Sequence, residues 1–116
     1  MPRSWRLRIE DILESLQRIL RYTEGFDADR FLADDLVVDA VIRNFEVVGT
    51  AAKYMPKEIE SRFPEIPWIE MRGMRNLLAH EYFGVDRVTI WRTIEVDRPP
   101  LIPQLQTVLQ SGDHPE

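Results

Sequence analysis

The residues of this chain best suited to chemistry lie in one short stretch: Arg72, Arg75, Asn76, His80 and Tyr82. Histidine exchanges protons near neutral pH. Arginine carries a planar, permanently charged fork that matches a phosphoryl group. Together they could act on a phosphodiester. His80 would serve as general acid or base and Arg75 would stabilise developing charge. Asn76, one turn before His80, could fix the ring's orientation or tautomer. The surrounding run, Arg72 to Asp86, reads as the end of a helix closed by Gly84. On that helix Arg75 and Tyr82 fall within roughly 20° of each other, while Arg72, Asn76 and His80 form an adjoining ridge. Met71, Met74 and Leu78 lie on another side and read as core. A ridge of arginine, asparagine and histidine is equally what a solvated helix face or a cap network presents. Arg75 and His80 also stand about 140° apart around the axis, so they do not stack as an i, i+4 pair. Either arginine's length closes the gap or a second copy of the helix completes the site.

The run Arg75-Asn76-Leu77-Leu78-Ala79-His80-Glu81-Tyr82 carries the pattern R-x4-H-x-Y. In it the chain resembles the HEPN (higher eukaryotes and prokaryotes nucleotide-binding) ribonucleases. More narrowly it resembles their HepT toxin branch, the partner of a minimal nucleotidyltransferase antitoxin. The likeness extends beyond the signature. Asp39 to Gly49 is similar to that family's central helix, Trp68 and Gly73-Met74 precede the signature, and Phe83-Gly84-Val85-Asp86 with Trp91 follow it. Two positions depart from the pattern. Thr50 stands where relatives often carry glutamate, and Arg98 where an apolar residue is common. Both bear on partner or assembly detail rather than on the signature.

The resemblance implies an all-α, antiparallel bundle of four to five helices. It also implies a metal-independent endoribonuclease that needs no cofactor and is the toxin of a type VII-like toxin–antitoxin pair. Arg75 and His80 would be catalytic, with Asn76 and Arg72 in support. Attack by the ribose 2′-hydroxyl would leave a 2′,3′-cyclic phosphate and a 5′-hydroxyl, which makes the activity RNA-selective. Tyr82 would receive AMP from the nucleotidyltransferase partner, placing phosphate and bulk at the cleft. The family's paired protomers would answer the 140° difficulty with a homodimer and a composite site, with higher assembly left open. From the residues alone, Tyr82 reads as a half-buried ring with its hydroxyl at the surface. The rival reading is a non-catalytic regulatory subunit that binds a nucleotide or a partner. Net charge favours it, and the intact Arg75, His80 and Tyr82 count against it.

Several helices must position this stretch. Residues 4–23 read as the first, with Ser4 as N-cap and Trp5, Ile9, Ile12, Leu13, Leu16, Ile19 and Leu20 on one face, ended by Gly25. Residues 28–33 read as one short turn. Residues 34–54 read as a second long helix, apolar on more than one side and hence central. Its Asn44 and Glu46 either face solvent or support the site across the bundle. A short helix follows from Pro56 to Phe63, with Pro56 suited to its first turn. A break at Pro64–Pro67 precedes the signature helix at about 67–83. Asp86 would cap a segment over 87–96 with Val88, Ile90, Trp91 and Ile94 inward. Pro99, Pro100 and Pro103 would punctuate the approach to a last helix, Gln104–Gln110. The spans amount to a single domain, 1–110, with 111–116 a flexible tail in which His114 does nothing.

Composition limits the alternatives. With 116 residues, 44% of them apolar, the chain can bury one core. It has no cysteine, so disulfides and thiolate metal sites are excluded. Its two histidines are far apart and no metal-ligand spacing, phosphate loop or repeat is present. No apolar run approaches a membrane span, and the start lacks a signal peptide's apolar middle, so a cytoplasmic location is expected. The net charge of −5 opposes avid, non-specific RNA binding. However, Asp27, Asp29, Asp34, Asp35 and Asp39 crowd one quarter, while Arg72, Arg75, Arg87 and Arg92 surround the signature. The acidic cluster reads either as helix caps and solvated surface or as a face for a basic partner.

Overall fold

The computed structural model describes residues 4–79 and 87–111, with the side chains of 75–79, 97–99 and 111 outside that description. The described residues are all-α, as expected. Helix α1 spans Trp5–Tyr22, α2 Ala28–Leu32, α3 Asp35–Lys53, α4 Lys57–Arg62, α5 Trp68–Ala79 and α6 Arg87–Arg92. A π-helical turn, Thr93–Asp97, then leads directly into α7, Arg98–Ser111.

The starts of these helices are set locally. Ser4 Oγ accepts from Leu7 N at 3.2 Å, Asp27 from Arg30 N at 2.8 Å and Asp34 from Val37 N at 3.0 Å. Each satisfies one of the amides that a first turn leaves without a partner. Part of the aspartate cluster is therefore capping, as one of its two readings held. Thr23 closes α1, its hydroxyl donating to Ile19 O at 2.7 Å. Gly25 does not end the helix itself. It takes the left-handed turn just beyond, with φ 77°.

Packing follows from the apolar stripes. Helix α3 is central, packing against α1, α5 and the short α2. Val38, Val41, Phe45, Val48, Ala51 and Ala52 disappear between these neighbours. From α1 come Ile9, Ile12, Leu16 and Ile19, each fully buried, and burial of such a side chain contributes roughly 1.5–3 kcal/mol. Leu20, expected on that stripe, is 42% exposed, and Ser15 is buried in its stead. Phe31 of α2 stacks on Trp91 of α6 with ring centroids 5.2 Å apart.

The C-terminal third departs from expectation. Val88 is 50% exposed, while Ile90, Trp91 and Ile94 are buried as expected. The last helix starts at Arg98 rather than Gln104, and Pro99, Pro100 and Pro103 lie within it. A proline ring clashes with the carbonyl four residues back in a regular α-helix. The wider π turn over Thr93–Asp97 changes that register where Pro99 and Pro100 follow. Leu101, Leu105 and Val108 then face the core. Arg6 of α1 donates to Leu109 O at 2.8 Å, tying the end of α7 back to the start of the chain. Among the described residues no helix is long and apolar enough to cross a membrane.

Candidate active site

Helix α5 carries the first part of the signature, from Arg75 to Ala79. It begins after Pro67, whose carbonyl accepts from Met71 N at 3.0 Å. Trp68 is buried and its indole N–H donates to Phe63 O at 3.0 Å, fixing the entry of α5 against the end of α4. Met71 is fully buried and Met74 packs partly against the core. The face assigned to the interior is thus the interior face, with Leu78's side chain outside the description. Gly73 lies on the same helix with open space where a Cβ would stand.

The polar ridge divides into what is placed and what is not. Arg72 does not stand free. Its guanidinium pairs with Glu60 Oε2 of α4 at 2.5 Å, the two side chains 33% and 22% exposed. A charge-assisted bond with this shielding makes Arg72 a strut between α4 and α5. Arg75 and Asn76 lie in the second half of α5, with their side chains outside the description. His80 and Tyr82 fall outside the described residues, as do Gly84 and Asp86 with their expected capping roles, and His114.

The basic surroundings are also partly occupied. Arg87, the first residue of α6, donates to Leu32 O at 2.9 Å and pairs with Asp35 at 2.9 Å. It therefore binds the chain just past the signature to the junction of α2 and α3. Of the four arginines read as a patch, Arg72 and Arg87 already carry carboxylate partners, while Arg92 is exposed. Asn44 is buried and donates to Ala40 O of its own helix at 2.8 Å, and Glu46 is exposed. The hydrogen bond described for Asn44 lies within α3, and the site side chains it was read as supporting lie outside the description.

Glu60 was missed by sequence reading. Its signal was weak, an acid on a short helix next to a proline-bracketed break, and only the three-dimensional return of α5 brings Arg72 to it. Among the described residues no group of histidine, cysteine, aspartate or glutamate side chains could hold a metal ion.

Comparison with known proteins adds to this geometry. The family model for ribonuclease HepT-like proteins matches residues 12–108, a span that includes the whole signature. A protein of Thermococcus cleftensis named probable ribonuclease HepT is 42% identical over 101 residues, covering 87% of this chain and 92% of its own. A protein of Methanocaldococcus jannaschii named as a candidate RNase is 36% identical over 98 residues, covering 84% of this chain and 90% of its own. Another, from Caldanaerobacter subterraneus, is 36% identical over 102 residues, covering 88% and 91%. No solved structure matches the chain significantly.

Proposed function

Because this chain belongs to the HepT-like ribonuclease family, we propose that it is the toxin of a toxin–antitoxin pair and cuts RNA without a metal, using Arg75 and His80. The observation that supports this reading is the family match over residues 12–108, which carries an intact R-x4-H-x-Y at Arg75, His80 and Tyr82. The placement of Arg75 and Asn76 in the second half of α5 is consistent with it.

In this mechanism the 2′-oxygen of the ribose attacks the adjacent phosphorus. The new P–O bond closes a 2′,3′-cyclic phosphate, and the bond to the 5′-oxygen breaks. His80 takes the 2′-hydroxyl proton or delivers one to the leaving 5′-oxygen. Arg75 stabilises the charge that gathers on the non-bridging oxygens. Asn76 supports the imidazole, and Arg72 supports α5 through its bond to Glu60. Two protomers face their α5 helices into one composite cleft. A nucleotidyltransferase antitoxin transfers AMP from ATP to the Tyr82 hydroxyl, which loses its proton as pyrophosphate leaves, filling that cleft with a phosphate and a base. The same reading takes residues 1–110 as one domain, acting in the cytoplasm.

The test is cleavage of end-labelled RNA in EDTA by the purified protein, His80→Ala and Arg75→Ala. Each variant is expected to lose at least about 100-fold in rate, the scale of a general acid–base contribution. Wild-type products should carry cyclic phosphate ends. Cleavage that persists in His80→Ala would refute the assignment. A second reading, a non-catalytic regulatory subunit, is favoured by the net charge of −5 and by the carboxylates already paired with Arg72 and Arg87. It predicts no cleavage by the wild type under the same conditions.

A further inference from the structure

On the seam between α1 and α3, the chain sets an exposed aromatic ring among cations. Tyr54, just past the end of α3, is 55% exposed. The Arg8 guanidinium of α1 lies 5.1 Å from its ring centroid and the Lys53 ammonium 5.4 Å from it. Arg8 also lines a cleft of about 290 Å³, together with Asp11 of α1 and Arg43, Glu46 and Thr50 of α3 over an apolar floor of Val47 and Ala51. Arg43, Val47, Thr50 and Tyr54 succeed each other at steps of four, three and four, a single ridge roughly 16 Å long. Among the described residues, none of α5 lines this cleft.

Arg8 and Lys53 are engaged with the Tyr54 ring. Among the described residues, no carboxylate pairs with Arg8, Arg43 or Lys53, although Asp11 and Glu46 line the same cleft. Asp11 and Glu46 both line the cleft and oppose an anion there. In a chain of net charge −5 this local excess of cations beside an open ring is out of keeping with the rest.

We propose that the Tyr54–Arg8–Arg43 ridge is a second contact for the RNA strand, holding nucleotides away from the point of cleavage. A base stacks on the exposed part of the Tyr54 ring, beside the cations that already face it. Arg43, Arg8 and Lys53 meet phosphates, and the Thr50 hydroxyl and the Val47–Ala51 floor accept the ribose. Such a surface is tolerant of sequence, because every base has a π-face and every nucleotide a phosphate. With Glu46 in place the contact is moderate in strength and releases product. The inference rests on the family's ribonuclease activity, not on the assignment of Arg75 and His80.

The probe is a 5′-fluorescein single-stranded 20-nucleotide RNA with every 2′-hydroxyl methylated, which cannot be cut by 2′-attack. Its anisotropy is followed on titration with the full chain and with Tyr54→Ala, Tyr54→Phe, Arg43→Ala and Val96→Ala. Tyr54→Ala is expected to weaken Kd by about 5- to 20-fold, with Tyr54→Phe within about twofold of wild type. Arg43→Ala should weaken it several-fold and reduce the slope of log Kd against log salt by about 0.7. Val96→Ala, an exposed position on the π turn, should bind as wild type. Unchanged binding in both Tyr54→Ala and Arg43→Ala overturns the proposal, and so does an equal loss in Val96→Ala. Because the probe is uncleavable, failure here leaves the His80 test untouched, and failure there leaves this one standing.

Discussion

Arg72 shows why a residue's type and spacing leave its task open. By helical spacing it falls in line with Asn76 and His80, yet its guanidinium is committed to Glu60 on α4. Periodicity within a helix cannot reveal a partner that only the return of the chain supplies. Asp27 and Asp34 were legible for the opposite reason, since a cap reaches only two or three residues along the chain. If Arg72 acts through the strut, removing either partner should have the same consequence. Arg72→Ala and Glu60→Ala are each expected to lower stability by about 1 kcal/mol in urea unfolding, the upper range for a partly shielded pair. The double variant should lose little more than either single one. Cleavage should fall equally in both. A deficit confined to Arg72→Ala would mean that its charge meets the RNA directly.

At the scale of elements, α1 and α3 were legible because long apolar stripes repeat at helical spacing and polar caps mark their starts. The end of the chain was not. Pro99, Pro100 and Pro103 read as punctuation, whereas α7 runs through all three. Proline excludes a regular interior turn, but it does not exclude a helix whose first amides need no intrahelical partner, entered from a wider turn. Pro103 is the exception, since it sits beyond the first turn and denies a hydrogen bond to the carbonyl of Pro99. Pro103 itself is exposed, so its ring fills no core. Pro103→Ala is therefore expected to raise stability by about 1 kcal/mol. That is less than the ~3 kcal/mol of a mid-helix proline, because the substitution also frees the unfolded chain. A midpoint shift to higher urea would confirm it. A loss of stability would mean that α7 depends on the proline to hold its path over Leu101 and Leu105.

For the whole molecule, the problem is to assemble enough positive charge for RNA on a body of net charge −5. Arg72 and Arg87 are tied to Glu60 and Asp35, so two of the four arginines read around the signature already carry carboxylates. Two copies facing each other would double the remainder in one cleft. They would also remove the angular mismatch, since a histidine need not then meet the arginine of its own helix. This arrangement has a sharp consequence. When Arg75→Ala and His80→Ala proteins are mixed, each inactive alone, subunit exchange yields mixed dimers in which one site draws an intact arginine from one chain and an intact histidine from the other. Random exchange makes about half the dimers mixed, each with one good site of two, so about a quarter of wild-type cleavage should return. A site built within one chain gives no recovery, because every chain in the mixture lacks one of the two groups. Recovery that appears after mixing and disappears when exchange is blocked by cross-linking would place the arginine and the histidine on different subunits.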